Sequence, residues 1–308
     1  MSRRRPHAHP CPPGTPGPRP GRAPRPPAAP VAGIGLNSRR SQRCGCYHRA
    51  VPESASPSGP RYLSRRAAFT YALAPVVLGA FAATAQAPKA SAGNGQLIDF
   101  ALQRIPAEEI KAAGYEGVVN YVSESRPGMN FEAKPITRQY ADSLRAAGLH
   151  IVSNFQYGKP GGSAPSDFTR GYDGGVADAQ AALALHNAAG GGASAPIFFS
   201  VDDNIDQGTW NSLALPWFRG INSVLGVGRT GIYGHSRACG WAINDNVIGQ
   251  STTPGHRWAW QTRSWSNGER EPAAVLYQGV VNGPLLAGTQ IDIDDVLAAD
   301  YGQWDLTR

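Results

Sequence analysis

The segment Pro196-Ile197-Phe198-Phe199-Ser200-Val201-Asp202 is the clearest structural signal in this 308-residue chain. Apolar residues fill most of it, without the strict alternation that marks a strand with one solvent-facing side. A short run of this kind is typical of a parallel strand that is covered on both faces by helices. The stretch therefore predicts an α/β fold, with an acidic residue, Asp202, at the carboxyl end of a buried strand.

Seven further apolar runs lie on either side of it, at 97–100, 117–123, 150–157, 230–234, 258–261, 275–278 and 290–294. Segments of helical composition separate most of them, at 106–113, 137–147, 172–189, 210–225 and 237–245. Eight β units that alternate with helices favour a (β/α)8 TIM-like barrel. The last units lack clear helices, so we expect the barrel to be irregular there. A doubly wound open sheet is the structural alternative.

An export signal precedes the barrel. Arg65 and Arg66 stand before an apolar run over 67–87 that is followed by small residues, a pattern typical of a bacterial signal peptide of the twin-arginine type. We expect cleavage after Ala92, with an uncleaved membrane anchor as the alternative. The predicted parts are a disordered Pro- and Arg-rich leader or mis-assigned gene start over 1–60, a signal peptide over 61–92 and the barrel over 93–308. The expected location is secreted or cell-envelope associated, and the translocase is the partner during export.

The net charge of +7 belongs to the leader rather than to the domain. Residues 1–66 hold 13 of the 29 basic residues and one acid, Glu53, and the remaining 16 basic and 21 acidic residues give a net charge of −5. The basic balance therefore gives no reason to expect a nucleic-acid partner. Cys239 is the one cysteine beyond residue 92, so the domain must be held by its core rather than by disulfides. We expect a monomer.

In barrels of this type the reacting side chains lie at the carboxyl ends of the strands. Acids, amides and aromatic residues follow at least six of the eight predicted runs, although any one of them could simply begin a loop or cap a helix. The candidate catalytic acids are Asp202, Asp99, Asp292, Glu124 and Asp203. The candidate substrate-binding residues are Tyr157, Gln156, Asn204, Tyr233, Trp260, Gln261, Gln278, Asp294 and Arg126.

This set of residues suits carbohydrate chemistry. Two carboxylates can act on a glycosidic bond as acid and base, or as acid and nucleophile, while aromatic rings stack on sugars and amides bind hydroxyls. Asp202 is the strongest candidate, and Asp203 would point to the opposite side if its strand continued. We expect no cofactor and no metal, because metal-binding motifs are absent from the sequence; a cation held by clustered Asp residues is the alternative.

Several motifs together resemble one known family. They are I-D-F at 98–100, I-V-S-N-F-Q-Y-G at 151–158, A-P-I-F-F-S-V-D-D-N at 195–204, T-G-I-Y at 230–233 and I-D-I-D at 291–294. The chain is similar to a glycoside-hydrolase-like domain-of-unknown-function family of bacterial proteins exported by the twin-arginine route. That family in turn resembles the family 25 glycoside hydrolases, the Chalaropsis-type lysozymes that cleave peptidoglycan. The resemblance covers 94–304 and implies a TIM-like barrel with a sugar cleft.

The sequence departs from those lysozymes where they carry the Glu of an Asp-x-Glu motif, which the resemblance implies to be the proton donor. Asn204 stands at that position, after Asp202 and Asp203. Two functions therefore stay open. One is hydrolysis of peptidoglycan or another envelope glycan, in which Asp202 works with Asp99, Glu124, Asp203 or Asp292. The other is a catalytically inactive barrel that binds cell-wall glycan or another carbohydrate without cleaving it.

Overall fold

Eight strands close into a barrel in the computed structural model, which describes residues 95–306. The strands in chain order are β1 (Gln96–Asp99), β2 (Gly117–Tyr121), β3 (His150–Phe155), β4 (Ile197–Ser200), β5 (Thr230–Gly234), β6 (Arg257–Thr262), β7 (Ala274–Val280), β8 (Leu285–Leu286), β9 (Thr289–Gln290) and β10 (Asp292–Val296). The barrel follows chain order from β1 to β7 and closes through β10, while β8 and β9 pair separately. The predicted α/β barrel is confirmed.

Helices cover the outside of the barrel. They are α1 (Ala107–Ala112), α2 (Arg138–Ala146), α3 (Gly171–Ala189), α4 (Gln207–Thr209), α5 (Leu215–Leu225) and α6 (Ser236–Asn244). A π-helical stretch, Trp210–Ala214, joins α4 to α5, and short 3₁₀ turns precede α3 and β5. Each long helix overlaps a segment that the sequence predicts. The glycines that mark the predicted ends do end the helices, as Gly190 shows with its left-handed backbone after α3.

The core has two layers, and the segment 196–202 contributes to both. Phe198 packs inside the barrel with Leu97, Val152 and Trp260, whereas Phe199 packs outside it, against the helices. Both phenylalanines are fully buried. Successive residues of a strand point to opposite faces, so two adjacent aromatic residues can be buried only where both faces of the sheet are covered.

The last barrel strand runs opposite to its neighbours. Strands β1 to β7 pair in parallel, but β10 pairs antiparallel with both β7 and β1. The expected irregularity in the last units is therefore a reversal of direction. It also corrects the position of two residues that the sequence places at a carboxyl end: Asp292 begins β10, beside Asp99 of β1, and Asp294 pairs with Leu97 further inside the barrel.

Two helices meet at a contact that requires glycine. A Cβ on Gly175 of α3 would collide with the carbonyl oxygen of Trp217 in α5, and a Cβ on Gly220 of α5 would collide with that of Tyr172 in α3. The backbones of α3 and α5 therefore approach each other more closely than side chains would allow. Asp178 strengthens this contact, because it accepts hydrogen bonds from Trp217 Nε1 at 2.8 Å and from Arg170.

The predicted leader, signal peptide and cleavage point lie outside the described residues. Within residues 95–306, no helix is long and apolar enough to cross a membrane.

Candidate functional site

A cleft of about 490 Å³ opens at the end of the barrel where the parallel strands terminate. Strands β1 to β7 bring their carboxyl ends to this face, whereas β10 brings its first residue because it runs the other way. The cleft is lined by nine of the residues predicted from sequence: Asp99, Asp202, Asp203, Asp292, Gln156, Tyr233, Trp260, Gln278 and Arg126. Residues at the ends of strands all around the barrel therefore line one site.

A single amide joins two of the acids. Gln278 Nε2 donates hydrogen bonds to Asp99 Oδ2 at 2.8 Å and to Asp292 Oδ2 at 3.2 Å. The orientation of this amide is fixed, because Gln278 Oε1 accepts from the hydroxyls of Tyr233 at 2.8 Å and Thr262 at 2.9 Å. The nitrogen must then face the carboxyl groups, and the two acids are held together by a buried neutral donor.

The electrostatics of this pair favour a bound proton. Asp99 is only 5% exposed, and its burial, together with the charge of Asp292, raises its pKa to about 7. Hydrogen bonds from Gln278 and Tyr121 oppose that rise but do not cancel it. Burial also raises the pKa of Asp292. At neutral pH Asp99 therefore carries a proton for much of the time, as a general acid requires.

Asp202 lies in a more open and polar part of the cleft. Its Oδ2 accepts a hydrogen bond from Gln156 Nε2 at 2.8 Å, and its side chain is half-buried. The backbone of Gln156 is held in turn, since its carbonyl oxygen accepts from Ser123 Oγ at 2.7 Å and from Lys134 Nζ at 2.8 Å. The cleft thus offers one buried acid that is protonated near neutrality and one solvated carboxyl group.

Asp203 lies in the cleft as well as Asp202. Strand β4 ends at Ser200, so the alternation that would turn Asp203 away does not extend to it. The condition under which Asp203 would point to the opposite side is therefore not fulfilled, and both residues line the cleft. Asp203 Oδ1 accepts a hydrogen bond from the backbone of Asn204, which fixes the turn.

Asn204 does not reach the cleft. Its side chain is exposed, and its Oδ1 accepts a hydrogen bond from Arg237 Nη2 at 3.1 Å. It leaves the cleft because the chain turns outward directly after Asp203. The position that the resemblance assigns to a proton donor is therefore occupied by an amide that pairs with α6.

Three other predicted residues also lie away from the lining of the cleft. Glu124 is exposed in the loop after β2, and Tyr157 donates its backbone N–H to Asp167 Oδ2 at 2.8 Å. Gln261 is buried, and its amide binds the backbone of Glu269 and Glu271. Strands β2 and β3 end two residues before their apolar runs do, so Glu124 and Tyr157 lie in loops, whereas Gln261 lies inside β6, which continues to Thr262.

Asp294 is buried beneath the floor of the cleft. Its Oδ1 accepts from Trp260 Nε1 at 2.7 Å, and its Oδ2 has no hydrogen-bond partner among the described residues. Full burial raises its pKa well above the usual range. The antiparallel direction of β10 explains this placement, because two residues after Asp292 lie deeper in the barrel rather than nearer to solvent.

Several residues that line the cleft were not predicted from the sequence: Tyr121, Phe131, Lys134, Asn154, Lys159 and Trp265. Tyr121 and Asn154 occupy strands, and their position near the strand ends was a usable signal. The others lie in loops, where no periodicity indicates direction. Trp265 is 37% exposed and has a left-handed backbone with φ of 58°, which is uncommon for a bulky residue.

Within the part of the chain that the structure describes, no group of three or more His, Cys, Asp or Glu side chains is arranged to hold a metal ion. Proton transfer among the carboxyl groups is the chemistry that this arrangement can perform directly.

Known proteins are similar to this chain in sequence and in architecture. Residues 108–298 match the family described as the Rv2525c-like, glycoside hydrolase-like domain. Rv2525c of Mycobacterium tuberculosis, a proposed peptidoglycan hydrolase, is 38% identical over 249 residues, which span 79% of this chain and 99% of the relative.

Crystal structures of that relative superpose on the barrel. The Tat-secreted Rv2525c in complex with L-tartrate is 39% identical with a TM-score of 0.64, and the match covers 69% of this chain and all of the other. A second crystal form, with HEPES, gives a TM-score of 0.62 at 39% identity over 68% of this chain and 98% of the other. The chain therefore belongs to the Rv2525c-like family of glycoside hydrolase-like proteins.

Proposed function

We propose that this protein is exported and hydrolyses a glycan of the cell envelope, with peptidoglycan as the first substrate to test. The observation that carries the proposal is the cleft itself, in which a buried acid with a pKa of about 7, Asp99, faces the same space as the hydrogen-bonded carboxyl group of Asp202. Membership of a glycoside hydrolase-like family supports it, as does the proposed peptidoglycan hydrolase activity of Rv2525c.

In the proposed mechanism, Asp99 donates its proton to the glycosidic oxygen as the bond to the leaving sugar breaks. Gln278 keeps Asp99 next to Asp292, and this second acid helps Asp99 to retain the proton until it is needed. Asp202 acts on the opposite side of the glycosidic bond, where water attacks the sugar carbon. It serves either as the base for that water or as the group that stabilises positive charge on the sugar. Burial of the donor and solvation of its partner keep the two roles apart.

The walls of the cleft suit the binding of sugars. Tyr121, Tyr233 and Trp260 are each less than a tenth exposed, so they contribute hydroxyls and edges rather than open faces. Trp265 is the aromatic residue of the lining with the most accessible ring, and we assign it the stacking role that the sequence suggested for Trp260. Gln156 is placed to donate to sugar hydroxyls beside Asp202.

Binding without cleavage is the second candidate function. The observation that favours it is the placement of Asn204, because the residue at the position of the lysozyme acid is an amide bound to Arg237 outside the cleft. A barrel that has lost its donor in this way would keep the sugar-binding walls and lose turnover.

Export by the twin-arginine route completes the proposal. Arg65 and Arg66 carry the signal in this sequence, and the relative Rv2525c is described as Tat-secreted. A hydrolase for an envelope glycan meets its substrate only after export.

The test is incubation of the purified chain with purified peptidoglycan, followed by measurement of the reducing ends released and of the protein that sediments with the wall. We expect Asp99→Asn and Asp202→Asn to lower the release of reducing ends by about 100-fold or more while sedimentation persists. Asp173→Asn, an exposed acid at the start of α3, is the matched control and should match the unmodified protein. Sedimentation without any reducing ends would establish the binding function instead.

A further inference from the structure

Three basic residues form one wall of the cleft. Arg126 and Lys134 come from the loop between β2 and α2, and Lys159 comes from the loop after β3. We call these three residues the basic wall. The proposed mechanism uses none of them, and the sequence predicts only Arg126 as a binding residue.

The members of the basic wall lie close together. The guanidinium carbon of Arg126 is 4.9 Å from the centre of the Phe131 ring, and Lys134 Nζ is 5.5 Å from the same centre. A Cβ placed on Gly162 would be 3.2 Å from Lys159 Cγ and 3.3 Å from Arg126 Nε, so these two side chains flank one point. Like charges at this spacing repel each other, and an anion between them would remove that repulsion.

None of the three forms an ion pair within residues 95–306, where the five ion pairs use other cations. Lys134 is the notable case because it is only 8% exposed. Its ammonium donates to the carbonyl oxygen of Gln156 at 2.8 Å and lies 3.7 Å from the centre of the Tyr121 ring. An ammonium has three N–H donors, so this geometry leaves capacity for a ligand in the cleft.

The burial of Lys134 and the charges around it favour the binding of an anion. Burial, together with the nearby charge of Arg126, lowers the pKa of Lys134 to about 7. Asp167, Asp99 and Asp202 attract the ammonium, but none lies within 4 Å of it. A buried cation without a close anion is costly, and a charged ligand would offset that cost.

We propose that the basic wall binds the carboxylate of an acidic sugar unit, so that the cleft accepts an anionic glycan in preference to a neutral one. This inference rests on the glycan-binding part of the proposed function and does not require turnover. The shared chemistry is a sugar carboxylate. It is supplied by a uronic acid, or by the lactyl group of muramic acid once its peptide has been removed, since an attached peptide turns that carboxylate into a neutral amide.

The test compares three short oligosaccharides by titration calorimetry with the full chain. One alternates glucuronic acid with N-acetylglucosamine, one is a peptide-free muramic-acid glycan, and one is a neutral chitin oligomer of equal length. We expect at least one acidic ligand to bind about tenfold or more tightly than the neutral one, as a charge-assisted contact provides. The acidic ligand that binds identifies the source of the carboxylate. Raising the ionic strength should reduce this preference.

Variants of the basic wall assign the effect to its residues. Lys134→Met keeps the buried aliphatic stem, and Arg126→Gln changes a half-buried side chain, so each should fold, as a thermal melt will show. Each should lower the affinity for the acidic ligand about tenfold and lower that for chitin by a clearly smaller factor, since Lys134 also holds the backbone of Gln156. Lys111→Met on α1 and Arg219→Gln on α5, both exposed, are the matched controls and should change neither affinity.

Two outcomes would overturn the inference. Equal affinity for acidic and neutral ligands would show that the basic wall does not select for charge. An equal loss of both affinities in Lys134→Met and Arg126→Gln would show that these residues only support the cleft. These failures differ from failure of the proposed hydrolysis, which would leave a charge preference in binding without any release of reducing ends.

Discussion

Asp99 shows how much of the candidate chemistry depends on the surroundings of one residue. The same carboxyl group on a solvated loop would be ionised at neutral pH. Here Gln278 and Tyr121 donate hydrogen bonds to it, yet burial and the neighbouring Asp292 dominate and keep it protonated up to a pH of about 7. The protonation of this carboxyl group is therefore set by its packing rather than by its residue type.

The raised pKa of Asp99 predicts a particular dependence of stability on pH. Its folded pKa of about 7 lies above the ordinary value of 3.8. The folded state therefore binds the proton more tightly, and the resulting stabilisation is complete below about pH 4 and lost as the pH rises through about 7. Asp99→Asn should remove this loss and raise the free energy of unfolding at about pH 8 by up to about 4 kcal/mol. Urea unfolding at about pH 4 and about pH 8 measures the difference.

Asp173→Asn is the control for this measurement, since it removes an exposed acid from the first turn of α3. Its stability should follow that of the unmodified protein at both pH values. The interpretation of Asp99 would be wrong if Asp99→Asn lost as much stability between the two pH values as the unmodified protein.

At the residue scale, the sequence identified strand-borne residues better than loop-borne ones. Asp99, Asp202 and Gln278 follow or lie in apolar runs, and each lines the cleft. Lys134 and Trp265 lie in loops whose direction depends on tertiary contacts, so no local pattern revealed them. Asp292 was selected as the end of a strand and lines the cleft as the beginning of one.

At the scale of elements, the contact between α3 and α5 shows how glycine fixes a distance between helices. Gly175 and Gly220 each face a carbonyl oxygen of the opposite helix with no room for a side chain. This close approach lets Asp178 of α3 accept a hydrogen bond from Trp217 Nε1 of α5 at 2.8 Å. The helix pair packs closely behind the sheet, where the ring centre of Trp217 in α5 lies 5.8 Å from that of Phe199 in β4, the strand that leads to Asp202.

We expect Gly175→Ala to lower the free energy of unfolding by about 1–3 kcal/mol, because the added methyl group must push α3 away from the backbone of α5. Gly240→Ala in α6 is the matched substitution. A Cβ there meets only the flexible end of Glu271, at 3.3 Å, so the better helix propensity of alanine should leave stability unchanged or raise it by up to about 1 kcal/mol. Thermal and urea unfolding compare the two, and equal stabilities would contradict the close-contact argument.

The strands were predictable as elements, but their directions were not. All eight barrel strands overlap the predicted runs, because buried strands leave a dense apolar signal. Periodicity carries no information on direction, however, and β10 is reversed. One usable signal was the connection from β7 to β10, which contains only the short pair β8 and β9 and no helix, whereas a parallel crossover usually contains one.

At the scale of the whole molecule, the charge of the chain separates into two regions of opposite sign. The basic residues concentrate before residue 67, and the part that forms the barrel is acidic overall. Within that acidic part, the basic wall is a local exception inside the cleft. The net charge of the whole chain describes neither region.

Export should depend on one pair of arginines in the predicted signal peptide. Replacing Arg65 and Arg66 by lysine together should abolish export through the twin-arginine translocase, so that the protein accumulates inside the cell. Replacing Arg39 and Arg40 by lysine changes another arginine pair, which is followed by no apolar run, and should leave export intact. Immunoblots of cell and medium fractions from a twin-arginine-competent host measure the outcome, and equal export of both variants would contradict the assignment.

The antiparallel pairing of β1 with β10 has a consequence for the order of events in folding. This pairing joins the first and last strands of the barrel, with Gln96 hydrogen-bonded to Asp295, 199 residues away. Contacts between such distant parts of a chain form at a high entropic cost and therefore late. Asp99 and Asp292 meet only across this seam, so a chain with an open barrel has two ordinary solvated acids. The proton that makes Asp99 a candidate donor is acquired when the barrel closes, which ties chemical competence to the completion of folding.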